Sequence, residues 1–253
     1  MAIDLQKIKK QLNFDCEVEL LETVDSTNLY LKRKYGVHKN TLVVAKSQTA
    51  GKGRHGKSFY SDGNGIYMSF LLNKVFPASK VYFLTVTAAV AVAETLNELY
   101  NINAKIKWVN DIYCNSKKLC GILCEGVLNK EAKYENSIVG IGINTFKSLF
   151  PADISDIAIS LEDVVEKKKI DRNLLITSVI NKFYDLINNS KETEVIKRYK
   201  TLSLVIDKTV TVISKYGNYT AEVLDIDDTA QLIIQKSNGE ITSLNSGEIS
   251  IKL

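Results

Sequence analysis

Hydrophobic and polar positions change period repeatedly along this chain, and the changes divide it into elements. Glu17–Glu22 reads as a short strand, and Leu29–Lys34 is an amphipathic helical run. Thr41–Ala45 is continuously apolar after its first residue, as in a buried strand, and Ile66–Leu72 reads as another. Pro77 and Ser79 are expected to introduce a helix over Lys80–Tyr100, whose apolar residues cover nearly the whole circumference between Val81 and Ala93. Such a helix is packed on several sides. Ala104–Trp108 alternates like a strand, Asn115–Lys117 makes a turn, and Leu119–Glu125 and Ser137–Thr145 are further strands. Asp171 caps a helix carrying Ile176, Ile180, Phe183 and Ile187, and a shorter helix follows over Lys191–Tyr199.

Beyond Thr201 the period falls to two. Thr209–Ile213, Tyr219–Leu224, Gln231–Gln235 and Glu240–Leu244 alternate, separated by Gly217-Asn218, Asp227-Asp228 and Asn238-Gly239. Asn-Gly between alternating runs is a strong hairpin signal. The pattern predicts a mixed α/β (α+β) domain over residues 1–204 and a small β-barrel over 205–253, which is marginal alone and so packs on the first.

Composition narrows the class. In 253 residues, 45% are hydrophobic and 25% charged, as in an ordinary soluble globular protein. The net charge of +4, without a block of like charge, does not indicate DNA binding. The N-terminal segment lacks the apolar core of a signal peptide, and the stretch around Val81–Ala93 is too short to span a bilayer, so a cytoplasmic protein is expected. Cys16, Cys114, Cys120 and Cys124 form no Cys-x-x-Cys pair and are read as buried, reduced thiols.

Chemistry concentrates in Lys46–Tyr60. Gly51, Gly53 and Gly56 let the backbone approach a ligand, while Lys52, Arg54, His55 and Lys57 surround it with positive charge, making a loop suited to an anion. Gly51–Ser58 also satisfies the phosphate-loop pattern of nucleotide hydrolases. That mechanism needs Lys57-Ser58 to open a helix, and the run that follows is turn-forming instead. Asp25-Ser26-Thr27-Asn28 reads as an N-cap, residues 104–128 as a hairpin whose charges are solvated, and Gly140-x-Gly142 is too weak for a dinucleotide fingerprint.

The loop resembles the signature of biotin protein ligases, with Gln48-Thr49-Ala50 as its prefix, Phe59 as its aromatic, and Lys52 where the family usually has arginine. Lys107–Asp111 resembles the family's Lys-Trp-Pro-Asn-Asp, with Val109 in place of proline, a change expected to loosen the loop. Lys118–Leu123 resembles its Lys-x-x-Gly-Ile-Leu, Gly140–Asn144 its Gly-x-Gly-Ile-Asn, and Gly247–Lys252 its terminal Gly-Glu-Ile-Ser-Leu-Arg. The resemblance implies a biotin/lipoate ligase-like catalytic domain with an SH3-like C-terminal barrel, of the short class without an N-terminal winged helix. It implies conversion of biotin and ATP to biotinyl-5′-AMP, then transfer to a lysine of a biotin carboxyl carrier domain, with a homodimer possible. Lipoate or octanoate transfer on the same superfold is the alternative.

By the same resemblance Ser26, Thr27, Asn28, Gln48, Lys52, Gly53, Arg54 and Lys118 would meet biotin, with Lys118, Arg54 and Lys52 stabilising the reacting α-phosphate. Arg54, His55, Phe59, Asn110, Asn144 and Lys252 would meet ATP, Phe59 packing on adenine. Asp111, a hard oxygen ligand, would hold Mg²⁺ between phosphates. The weaker alternative for Lys252 is a solvated lysine at the chain end.

Overall fold

The computed structural model describes residues 2–34, 39–77, 80–128, 133–214, 217–245 and 248–250. The chain opens with α1 (Leu5–Gln11), which the hydrophobic pattern did not indicate; Asp4 caps it, accepting from the amides of Gln6 and Lys7. There follow β1 (Glu17–Val24), α2 (Thr27–Arg33), β2 (Thr41–Gln48), β3 (Gly65–Leu72), β4 (Phe76–Pro77), α3 (Val81–Tyr100), β5 (Lys105–Lys107), β6 (Asp111–Cys114), β7 (Lys117–Leu128) and β8 (Lys133–Asn144). The later elements are α4 (Arg172–Asn189), α5 (Glu192–Thr201), β9 (Thr209–Ile213), β10 (Tyr219–Ile226), β11 (Leu232–Lys236), β12 (Ile241–Leu244) and β13 (Glu248–Ser250).

Strands β1 to β8 form one mixed sheet in the order β1-β2-β3-β8-β7-β6-β5, with β4 pairing to β8 off this path. Only β1 and β2 run parallel, because α2 crosses between them; the remaining pairs are antiparallel. Side-chain alternation assigns the two faces. Leu42, Val44, Ile66, Met68, Phe70, Val139, Ile141 and Ile143 join the main core with α3 and α4. Val43, Leu71 and Ile138, at the alternate positions, pack with Leu31 in a small cluster beneath α2. The sheet is thus helix-covered on one face along its length, and on the other only at one end. The uncovered part of that second face holds the site.

Pro77 does not introduce α3: it lies in β4, paired with Lys133, and Ser79 falls outside the described residues. Lys80 stands at the N-cap without a side-chain bond, so burial rather than capping stabilises the helix, with Val86 and every residue from Ala88 to Ala93 fully buried. Asp171 caps α4 as expected, accepting from the amides of Asn173 and Leu174. Cys114 and Cys120 are buried, whereas Cys16 and Cys124 are only half-buried, and all four are free thiols.

The second sheet is antiparallel, in the order β12-β11-β10-β9-β13. It is tied to the first by Trp108, whose Nε1 donates to Ala230 O at 2.8 Å, and by Lys200, whose Nζ donates to Asp225 Oδ2 at 2.8 Å. The linking segment bonds to β5 on both sides of Ile106, through Leu202 O and Leu204 N, each at 2.8 Å. Val210, Val212, Val223 and Leu232 belong to the same core as α3. No described helix is long and apolar enough to cross a membrane.

Candidate active site

The open sheet face is made bare by glycine. A Cβ on Gly142 would fall 2.5 Å from the Phe59 ring, and one on Gly140 would fall 2.2 Å from Asn28 Oδ1. Gly121 beside them would bring its Cβ to 3.1 Å from the Phe59 ring. Phe59 therefore lies against a floor of backbone, and a cavity of about 900 Å³ opens between that floor, the loop after β2 and the β5–β7 hairpin. Every residue proposed from sequence lines it except Lys252, which lies outside the described residues: Ser26, Thr27, Asn28, Gln48, Lys52, Gly53, Arg54, His55, Phe59, Asn110, Asp111, Lys118 and Asn144.

The loop that roofs the cavity is pinned by its own backbone. Phe59 N donates to Gly51 O at 2.9 Å and Gly53 N to Lys57 O at 2.7 Å. Gly51 needs to be glycine because a Cβ there would sit 2.4 Å from Phe59 O. Arg54–Gly56 makes a single 3-10 turn with His55 in the left-handed region, and Ser58 bridges Lys52 in extended conformation. Lys57-Ser58 opens no helix, which removes the structural basis of the phosphate-loop reading.

At the other end, Ser26 occupies the N-cap position of α2 but makes no capping bond. Gln48 caps the helix instead: its Oε1 accepts from Thr27 N at 2.9 Å and from Thr27 Oγ1 at 3.2 Å, while its Nε2 donates to Ser61 Oγ at 3.0 Å. Ser61, which the sequence reading did not single out, thereby sets the orientation of the Gln48 amide. Asn28 is 3% exposed and engaged throughout, donating from Nδ2 to Leu123 O and Glu125 Oε2, with Ser69 Oγ 2.5 Å from its Oδ1. Its polar atoms are spent inside the protein.

Across the cavity, Asn110 accepts from Arg54 Nη1 at 3.1 Å and donates to Ile122 O at 2.7 Å, so the loop and the hairpin meet at this amide. The loosening expected of Val109 is countered by contacts: Tyr199 donates to Val109 O at 2.9 Å and Trp108 is held by Ala230. The Trp108–Val109 peptide is cis. Burial pushes the Tyr199 hydroxyl well above the usual phenol range, keeping it a donor. Lys118 Nζ lies 2.8 Å from Asp111 Oδ1, yet at an angle that leaves this buried oxygen without a hydrogen bond. Asn144 Nδ2 donates to Ile159 O at 3.2 Å.

Among the described residues no group of three or more His, Cys, Asp or Glu side chains could hold a metal. A carboxylate whose buried oxygen has an ammonium beside it but no hydrogen bond, as in Asp111, does suit Mg²⁺, which keeps its waters and takes most of its oxygens from bound phosphates. The lining is strongly cationic: Lys52, Arg54, Lys57, Lys107, Lys117 and Lys118 face two carboxylates, Asp111 and Asp156. Such a site favours a polyanion.

The sequence reading missed one wall. Phe150, Ile154, Ile157 and Ala158 line the cavity, and their segment grips Lys118, whose N donates to Ile157 O at 2.7 Å while its O accepts from Ile159 N at 3.0 Å. The available signal was a run of apolar residues without a period between β8 and α4; Leu149 in it is 94% exposed. Ile213 and Ile249 of the second sheet also reach the cavity.

Residues 20–144 match the Biotin/lipoate A/B protein ligase family, and residues 205–252 match the Biotin protein ligase C terminal domain. The bifunctional ligase/repressor BirA of Bacillus subtilis (strain 168) is 34% identical over 218 residues, which are 83% of this chain and 66% of that protein. The biotin--[acetyl-CoA-carboxylase] ligase of Mycobacterium tuberculosis is 25% identical over 216 residues, 82% of this chain and 77% of that one. The biotin protein ligase from Aquifex aeolicus in complex with biotin and ATP superposes with a TM-score of 0.80 at 31% identity, over 93% of this chain and 98% of that one.

Proposed function

The chain belongs to the biotin/lipoate A/B protein ligase family, among its biotin protein ligases, and we propose that it activates biotin with ATP and transfers the biotinyl group to a lysine of a carboxyl carrier domain. The observation that carries this reading is the glycine floor of Gly121, Gly140 and Gly142 beneath a basic roof, one end lined by neutral polar groups and the other by cations. A neutral ureido ring fits the first end and a triphosphate the second.

In the first step an oxygen of biotin's carboxylate attacks the α-phosphorus of ATP; the bond to the β-phosphate breaks and pyrophosphate leaves. Two anions must approach for this, and Arg54, Lys52 and Lys118 supply the compensating charge. Asn110 holds Arg54 in place at 3.1 Å. When nucleotide binds, Asp111 would hold Mg²⁺, which neutralises phosphate charge. Lys118, whose ammonium lies against Asp111, would turn its charge to the α-phosphate. In the second step the neutral ε-amine of the carrier lysine attacks the anhydride carbonyl, the amide forms, a proton is lost and AMP leaves. Ser26 and Thr27 would orient the ureido ring, with Gln48 fixing Thr27, and Phe59 would offer its ring to adenine.

The test is biotin-dependent exchange of pyrophosphate into ATP without carrier, repeated with lipoate and octanoate in place of biotin. Exchange with biotin alone is expected. Exchange that is independent of biotin, or that prefers lipoate, overturns the reading.

A further inference from the structure

Glu125 lies outside the ligand-facing set, yet it closes a network that reaches it. It stands on the cavity face of β7, two residues beyond Leu123 and four beyond Gly121. Its Oε2 accepts from Asn28 Nδ2 at 2.7 Å and its Oε1 from Lys32 Nζ at 2.6 Å. Asn28 and Lys32 are four apart, one turn along the same side of α2. A single carboxylate therefore clamps this face of the helix to the sheet.

The clamp continues inward. Asn28 shares Ser69 with Thr27, since Ser69 Oγ lies 2.5 Å from Asn28 Oδ1 and 2.6 Å from Thr27 Oγ1. Gly140 provides the space, because a Cβ there would overlap Asn28. The Glu125 carboxyl is held below the usual carboxylate range: burial opposes its ionisation, and the bonds from Lys32 and Asn28 with the charges of Lys32 and Lys52 outweigh it. The same anion thus meets the helix that carries Thr27 at two positions one turn apart, Asn28 and Lys32.

We propose that Glu125 is a positioning residue for the small acid substrate, acting through Asn28 and the shared Ser69 to fix Thr27, without touching substrate itself. This rests on the reading that the cavity takes biotin. Removing an ion pair that served stability alone would lower the melting temperature and leave substrate affinity intact in the folded fraction.

The experiment uses the full chain carrying Glu125→Gln, Glu125→Asp or Lys32→Met, at a temperature where circular dichroism shows each variant folded. Biotin binding is measured by calorimetry, and kcat and KM by pyrophosphate exchange. Glu125→Gln is expected to raise the Kd and KM for biotin about tenfold while leaving kcat within about twofold, as the loss of one charge-assisted hydrogen bond would. Glu125→Asp should recover part of that loss, and Lys32→Met, which keeps the bond to Asn28, should cost less. A folded Glu125→Gln variant with wild-type biotin affinity overturns the inference, and so does a fall in kcat at unchanged KM. Should Glu125→Gln fail to fold, Glu125→Asp carries the same criteria. Wild-type protein that binds no biotin overturns the reading of the cavity as well, which separates the two failures.

Discussion

Lys118 joins a fixed main chain to a side chain that meets a single carboxylate. Here its ammonium faces Asp111 and its backbone is gripped by Ile157 and Ile159, so the main chain is fixed while the side chain keeps the reach of four methylenes. In the proposed reaction a cation held this way would meet charge that builds only as the α-phosphate reacts. Lys118→Ala is expected to slow biotin-dependent pyrophosphate exchange by roughly 10²–10³ while changing biotin affinity much less, measured by exchange rate and calorimetry side by side. Equal, large losses in both would mark it as a binding residue. Lys52 differs, since it is exposed in the roof and has a compact charge where a planar fork would hold two oxygens at once. Lys52→Arg should therefore slow escape of biotinyl-5′-AMP in a chase without carrier, and unchanged or faster escape would mean that charge or backbone alone matters at this position. Both residues were legible in the sequence because their neighbours form dense motifs. Ser61 and Glu125 were not, because a loop serine and a glutamate within a strand carry no local pattern, and only the fold brings them to Gln48 and Asn28.

Among the elements, α2 is short, and three carboxylates hold its side chains. Asp25 is held well below the usual carboxylate range by the hydrogen bonds from Arg33 and from the amide of Ser26. Glu19 is lowered too, burial opposing and the bonds from Lys34 and Tyr30 prevailing, and Glu125 behaves alike. A group whose pKa is lower folded than unfolded contributes stability that is fully present above its unfolded value and is lost as pH falls through its folded value. Acidification below about pH 4 should thus release α2 before the main sheet unfolds, seen as loss of amide protection at Thr27–Arg33 ahead of the global circular-dichroism transition. Simultaneous loss would show that α2 has no separate transition. The expected cap of α2 illustrates what sequence withheld: Ser26 has the right side chain and the right place, but Gln48, twenty-one residues beyond Thr27, supplies the bond to Thr27 N. Where a cap is local the reading held, as at Asp171, and Asp171→Ala should cost about 1 kcal/mol in chemical denaturation. The strands were legible because period-two alternation is set by burial on one face, whereas α1 was missed because seven residues with Ile8 as the buried one leave no period to read.

At the scale of the whole molecule, the two sheets meet where the chemistry is. The hairpin residue Trp108 is 5% exposed and spends its only donor on Ala230 O, while its neighbour Val109 is held from the other side by Tyr199 of α5. Lys200, next along that helix, reaches Asp225 of the second sheet, and Ile213 and Ile249 of that sheet face the cavity. A chain of direct contacts therefore runs from the second sheet through Trp108 and Val109 to Asn110, which meets Arg54. None of it follows from the motif around Trp108, because the partners lie about ninety and a hundred and twenty positions away. The contact can be cut without emptying the core: Trp108→Phe keeps an aromatic ring and removes the indole donor, leaving the buried carbonyl of Ala230 unpaired. That should cost about 1–3 kcal/mol of stability in denaturant unfolding. If the contact chain also sets Asn110, the same variant should raise the KM for ATP in pyrophosphate exchange while biotin affinity, governed by the far end of the cavity, stays near the wild-type value. A stability loss of the expected size with an unchanged KM for ATP would confine Trp108 to holding the two sheets together, and a matching loss of biotin affinity would mean that the cavity responds as one body.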